Sequence, residues 1–398
     1  MHRFARLVFA LVMSSLGSIA TVAIAADIPP PPKIDAPAYI LIDQASGRTL
    51  ASERADERAE PASITKLMTA YVTFRALKEG RLKLDELVPI SERAWRAEGS
   101  RTFLNVGDRV PVEVLLQGMI VQSGNDAATA LAERLGGSEE VFGQLMTREA
   151  KRLGMKNSNF TNATGLPDPA LYTTPRDIAI LSRALIGEFP QYYRWYSQRE
   201  FVWNNIKQGN RNGLLYSDPT ADGIKTGFTN SAGYCLASSA KRNGTRMIAV
   251  VFGTKSPRIR ERASAALLNY GFAFYETATL RKAGDAVFKP RVYKGVEEYV
   301  SVGPAANVEV TVARGTRTRL KTSTTLNEPL IAPLQAGQTV GEMRVLDGKT
   351  VVKRVPEPHR QPTFRGGGCR RRLMGRYSRY RRTVVPLTPW LNHSQFVI

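Results

Sequence analysis

Pro61-Ala-Ser-Ile-Thr-Lys-Leu-Met-Thr-Ala-Tyr71 opens on a proline, and Ile64, Leu67, Met68, Val72 and Ala76 follow at helical spacing. The pattern predicts a helix that runs to about Leu77 and stops by Gly80. Ser63 and Lys66 then lie one turn apart on the same face, so the amine can reach the hydroxyl. A serine nucleophile must lose its proton, and an amine can take it if burial or a neighbouring cation keeps that amine neutral. The free N–H groups at the helix start are directed toward any oxyanion formed there.

Histidine usage means that any hydrolase here needs a different base. The chain has three histidines, His2, His359 and His393, all close to its ends. A Ser-His-Asp triad, a Cys-His pair and a His-ligated zinc site are therefore excluded from the body of the chain. No metal or organic cofactor is implied. Of the two cysteines, Cys235 lies in a strand-like run and reads as a small buried apolar residue, and Cys369 lies in the tail, so no disulfide framework is present.

Ser-x-x-Lys alone is a weak signal, because it occurs by chance in most long chains. Its company is more specific. Ser123-Gly-Asn125 follows the helical run Val112 to Ile120, and Lys225-Thr-Gly227 opens a strand-rich region. A serine, a second polar triplet and a Lys-Thr-Gly triplet in this order are the signature set of penicillin-binding proteins and class A β-lactamases.

The chain closely resembles the low-molecular-mass penicillin-binding proteins of the D-alanyl-D-alanine carboxypeptidase family, the family S11 peptidases. The stretches Pro61 to Tyr71, Gly118-Met-Ile-Val-Gln-Ser-Gly-Asn-Asp-Ala127 and Gly223-Ile-Lys-Thr-Gly-Phe-Thr229 match its signatures nearly residue for residue. The likeness extends from about Ala38 to Val352. It implies that Ser63 forms the acyl-enzyme, that Lys66 accepts its proton, and that Ser123 and Asn125 line the opposite wall, with Ser123 relaying a proton to the leaving amine. Lys225 and Thr226 would bind the substrate carboxylate, and Gly227 would let the substrate lie against the strand. The backbone N–H groups of Ser63 and Phe228 would form the oxyanion hole. Arg260 would supply a fixed cation, its neighbours Arg258 and Arg262 being rival candidates. Some relatives carry histidine where this chain has Phe228; only the backbone is required there. Asp126 and Asp177 are expected to be structural.

The implied fold is α+β: a β-lactamase/transpeptidase-like catalytic domain, with an antiparallel sheet, helices and a helical subdomain, followed by a small all-β sandwich. Residue patterning agrees. Ala38 to Asp43 and Arg48 to Ser52 read as a hairpin, helical periodicity spans Pro111 to Leu135, Ser138 to Leu153 and Arg176 to Ile186, and strands follow Gly223. A helix from Arg258 to Tyr270 would close the first domain. Short strands are expected at Glu298 to Val302, Val308 to Val312, Arg317 to Thr322, Gln338 to Val345 and Lys349 to Val352.

The expected organisation is an export signal over 1–25, a flexible Pro-rich spacer over 26–37, a catalytic domain over 38–278, a β-rich domain over 279–356 and an Arg-rich tail over 357–398. His2, Arg3 and Arg6 precede a largely apolar run ending at Ala23-Ile-Ala25, the form of a cleaved signal, which points to the periplasm. The net charge of +21 is uneven, with nine arginines against one glutamate after Pro356. Export removes nucleic acid as an ordinary partner and leaves the envelope. Two readings of the tail stand side by side: a short basic helix on an anionic membrane surface, at the outer face of the inner membrane, or the product of a shifted reading frame.

The partners implied are the peptidoglycan stem pentapeptide and β-lactams as covalent inhibitors. A serine β-lactamase would need a glutamate-held water, and between Asn157 and Ile180 the only acids are Asp168 and Asp177. β-Lactams are thus expected to acylate Ser63 and leave slowly. A D,D-endopeptidase remains a close alternative, and a non-catalytic cell-wall binding module a remote one.

Overall fold

The computed structural model describes residues 28–359. The expected export signal, the first two residues of the expected spacer and the Arg-rich run from residue 360 onward lie outside the described residues.

A five-stranded antiparallel sheet organises the larger part of the chain. Its order is Thr49–Glu53, Ala38–Asp43, Thr245–Thr254, Gly233–Arg242 and Ala221–Thr229. The alternation of apolar residues divides its two faces cleanly. Ile40, Ile42, Ile248, Val250 and Phe252 enter one core with Ile64, Leu67 and the helical part, while Tyr39, Leu41, Met247, Ala249 and Val251 enter a second core with Leu267 and Leu268 of the helix Pro257–Phe274. Each fully buried Leu or Ile contributes about 1.5–3 kcal/mol relative to exposure, which fixes the register of the sheet.

The helix expected after Pro61 is present, with one refinement: Ala62–Thr65 is a 3-10 turn and the α-helix runs Lys66–Lys78. Phe74 on this helix packs with Phe189, Tyr192 and Trp195. The periodic run from Pro111 to Leu135 is two helices, Val112–Val121 and Asn125–Gly136, broken at the second motif, where Ser123 adopts φ +69°. The helices Glu139–Leu153 and Pro175–Glu188 begin at Ser138 and Thr174, whose hydroxyls accept from backbone N–H groups of the first turn.

The Pro-rich segment is not the flexible spacer its composition suggests. Ile28, Ile34 and Ala36 pack against the second core, and the Tyr270 hydroxyl donates to the Pro29 carbonyl at 2.9 Å. Apolar residues between the prolines give this segment something to bury.

From Tyr275 the chain forms a smaller β region. Tyr275–Arg281 pairs with Val308–Ala313, and Leu320–Leu326, Thr339–Asp347 and Thr350–Pro358 make a three-stranded sheet. Two small apolar clusters fill it, one around Val302 and Leu330, the other around Val310 and Met343. Three expectations shift here. Glu298 to Val302 is not a strand but contributes isolated bridges, Tyr299 to Arg291 and Val302 to Phe288. Arg317–Arg319 is a 3-10 turn ahead of its strand. The last strand continues to Pro358, and buried His359 bridges Val302, so ordered packing runs past the expected start of the tail at Glu357. The two regions meet through buried Asp43, which accepts from Thr277 Oγ1 at 2.6 Å and from Ser46 Oγ at 2.8 Å.

Candidate active site

Ser63 is half-buried and lies in the 3-10 turn beside the edge strand Ala221–Thr229. The preceding residue, Ala62, has φ +47°, a left-handed conformation that costs a non-glycine residue roughly 1–2 kcal/mol. Such strain at a reactive turn is retained only where the surroundings over-determine it.

Lys66 is 1% exposed, and its Nζ lies 3.0 Å from Ser63 Oγ and donates to the Thr164 carbonyl at 2.6 Å. Burial, aided by the charge of Arg211 and opposed by Asp126 and Glu139, pushes its pKa down to about 7. A substantial neutral fraction therefore exists near neutral pH, the condition the sequence argument required.

The second motif is buried: Ser123 and Asn125 are 3% and 4% exposed. Asn125 Nδ2 donates to the Glu98 carbonyl, and its backbone N–H to Ser100 at 2.7 Å. Asp126 takes the structural role expected of it, accepting from the N–H groups of Thr102, Leu104 and Ala127 and so pinning the loop over the motif. Asp177 likewise accepts from Asn157 N and Ser158 Oγ.

On the edge strand, Lys225 and Gly227 face the nucleophile turn, and Thr226 and Phe228 face the other way. Lys225 is buried, and burial together with Lys66, Arg211 and Arg260 holds its pKa well below the ordinary lysine value. Gly227 is needed for packing as well as for the substrate clearance expected of it. A Cβ there would stand 2.9 Å from the Pro61 carbonyl oxygen and 3.2 Å from Ala62 Cβ, so its absence lets the strand approach the nucleophile turn. Phe228 is exposed and stacks on Tyr234 at 4.2 Å between centroids.

Burial separates the three arginines. Arg260 is buried while Arg258 and Arg262 are exposed. Its Nη2 donates to the Arg211 carbonyl at 3.2 Å, its guanidinium sits 5.8 Å from the Tyr234 ring centroid, and its Nε has no partner. A buried cation with an unused donor suits a carboxylate.

Sequence reasoning missed two contributors. Arg211 adds a third cation from a turn that its neighbours hold: Asn210 Oδ1 accepts from Asn212 N at 3.0 Å, and Asn212 Nδ2 donates to Gly223 O on the motif strand at 2.9 Å. The Asn-Arg-Asn triplet was a visible but unspecific signal. The other is the loop around Thr164, which holds the Lys66 amine and carries no titratable group to draw notice.

Known proteins resemble this chain in sequence and in fold. Residues 7–256 match the family model for D-alanyl-D-alanine carboxypeptidase, and residues 275–358 match the model for the C-terminal domain of penicillin-binding protein 5. The D-alanyl-D-alanine carboxypeptidase DacC of Escherichia coli K12 is 44% identical over 332 residues, covering 81% of this chain and 83% of that protein. DacA of the same strain is 42% identical over 336 residues, covering 82% and 83%. The crystal structure of penicillin-binding protein 5 from Haemophilus influenzae superposes with a TM-score of 0.79 at 37% identity, over 84% of this chain and 99% of that one. Penicillin-binding protein D2 of Listeria monocytogenes, solved in an ampicillin-bound form, gives 0.57 at 30% identity, over 61% of this chain and 100% of that one.

Proposed function

Because the chain belongs to the D-alanyl-D-alanine carboxypeptidase family of serine peptidases, we propose that it removes the terminal D-Ala of peptidoglycan pentapeptide stems through an acyl-enzyme on Ser63. The observation that carries the assignment to Ser63 is the 3.0 Å contact with a buried Lys66 whose pKa is pushed down to about 7.

Neutral Lys66 accepts the proton of Ser63 as Oγ bonds to the carbonyl carbon of the penultimate residue. The backbone N–H groups of Ser63 and Phe228 receive the oxyanion. Breakdown of the tetrahedral intermediate breaks the peptide bond, and Ser123 relays a proton to the departing amine of D-Ala. Asn125 lines the wall beside it. Lys225, Thr226 and Arg260 hold the free carboxylate, which selects a C-terminal residue. Water then takes the place of the amine and hydrolyses the ester. β-Lactams, whose carboxylate and acyl carbon mimic the same groups, acylate Ser63. Both oxygens of Glu139, a carboxylate that influences Lys66, are engaged by Arg93 and the Ala163 N–H, which disfavours a rapid water-activating deacylation.

Incubating the mature protein with a diacylated tripeptide ending in Lys-D-Ala-D-Ala should release D-Ala, and Ser63→Ala should release none. Intact substrate alongside cleavage of cross-linked peptidoglycan would transfer the assignment to an endopeptidase.

The enzyme works in the periplasm, peripheral to the outer face of the inner membrane, on the strength of the basic-apolar start and the Arg-rich end. Among the described residues no helix is long and apolar enough to cross a membrane. Fractionation of cells should release the protein with the periplasm or, by high salt, from membranes; recovery in the cytoplasm overturns this placement.

A further inference from the structure

The loop Asn162-Ala-Thr-Gly-Leu166 belongs to none of the three motifs, yet it holds the Lys66 amine and, at Gly165, packs against Ala62, the residue before Ser63. Asn162 closes it. Its Oδ1 accepts from Gly165 N at 2.7 Å, Thr164 N at 3.2 Å and Thr164 Oγ1 at 3.1 Å, and its Nδ2 donates to Leu166 O at 3.1 Å. One half-buried side chain thus satisfies four groups of its own turn, an arrangement typical of Asn at tight turns. The result is that the Thr164 carbonyl points inward, where it accepts from Lys66 Nζ at 2.6 Å. The adjoining Ala163 is tied down on both sides: its carbonyl accepts from Thr69 Oγ1 at 2.7 Å and its N–H donates to Glu139 at 3.2 Å.

We infer that Asn162 is a positioning residue for acylation: by shaping this turn it sets the Thr164 carbonyl, which aims Lys66 Nζ at Ser63 Oγ. The inference rests on the reading of Ser63 as nucleophile and Lys66 as base. A lysine side chain has about 2 kcal/mol of rotamer entropy to lose, and one fixed acceptor removes much of that freedom in advance. Neutral Lys66 has two N–H bonds and one lone pair. With an N–H directed to Thr164 O, the lone pair is turned toward the Ser63 hydroxyl, and the proton passes from Oγ to Nζ as the Oγ–C bond forms.

The choice of an amide also preserves the charge balance. Asp126 from the helix Asn125–Gly136 and Glu139 from the next helix favour the ammonium, and Arg211 favours the amine. Lys225, on the edge strand, is itself depressed by Lys66. An acid at position 162 would supply the same acceptor oxygen but add a third negative charge.

The test is the rate of acylation by a fluorescent penicillin, measured against pH on the mature protein. Asn162→Ala should acylate roughly 10- to 100-fold more slowly at its optimum. Its acid limb should move to lower pH, because a carbonyl that accepts from the ammonium stabilises it and would now be misplaced. Asn162→Asp should keep a rate near that of the parent on the alkaline side and move the acid limb to higher pH. A residue that only braced the fold would lower the thermal midpoint and the active fraction without moving either limb. Wild-type rate and limb in Asn162→Ala overturn the inference. If that variant fails to fold, Asn162→Ser, which retains one short acceptor, should give an intermediate rate and an intermediate limb, and an unmoved limb overturns it equally. Label persisting in Ser63→Ala would instead remove the assignment of Ser63 and Lys66 on which the inference stands.

Discussion

Lys66→Arg should fold and yet lose acylation by penicillin, together with D-Ala release, by roughly 100- to 10,000-fold, the range expected when a general base is removed. Both side chains carry a positive charge when protonated, so charge alone cannot explain a difference between them. Arginine does not give up its proton in proteins. Lysine at this position does, because 1% exposure makes the ammonium expensive and Arg211 adds repulsion. If the larger guanidinium prevents folding, Lys66→Met removes the charge and the base together and should be equally inert. A Lys66→Arg enzyme acylated at the parental rate would sink the assignment of Lys66 as the base.

The same depressed pKa fixes two pH dependences. Acylation requires the amine, so its rate should rise with pH through about 7, the value to which burial pushes Lys66. Stability should run in the same direction. Between about 7 and the ordinary lysine value of 10.5 the unfolded chain holds a proton on Lys66 that the folded chain does not. Stability contributed by this group therefore rises with pH across that window, and below it the folded protein bears the full burden of a buried ammonium. Activity and stability thus draw on the same unfavourable burial, as is common at reactive sites.

Much of this site could be read from the chain alone, and the reason is physical. Ser63 and Lys66 are one helical turn apart, so local spacing carries their geometry, and the period-2 runs of the sheet carry its two faces. What spacing does not carry is contact between distant segments. Thr164 meets Lys66 across 98 residues, and Arg211 acts on Lys66 through space from a loop with no motif of its own. The sequence pattern continued helix through Ser123 because its flanks are apolar and periodic; the backbone breaks there because Ser123 turns to φ +69°, and the packing of Thr102 and Asp126 against Gly124 leaves no room for a side chain after it. Gly227 shows a different limit: the motif marks it for clearance of a ligand, and spacing gives no sign that its empty face also receives the nucleophile turn.

Gly165→Ala should be the most damaging single-methyl change outside the motifs. Gly165 has φ +83°, and a Cβ there would overlap the carbonyl oxygen and carbon of Ala62. That obstacle is backbone and cannot swing aside as a flexible side chain would. The left-handed conformation and the enforced backbone shift together should destabilise the fold by about 2–4 kcal/mol, lowering the thermal midpoint by roughly 4–8 °C. Because Ala62 directly precedes Ser63 and is itself held at φ +47°, the displacement reaches the nucleophile, and acylation should fall about 100-fold even at temperatures where the variant is folded. Gly80 supplies the control. It also has positive φ, +71°, but a Cβ there meets nothing within 4 Å, so Gly80→Ala should lose only about 1 kcal/mol from backbone strain and acylate normally. If Gly165→Ala matched Gly80→Ala in both midpoint and acylation rate, the loop would not be bracing the nucleophile turn at all.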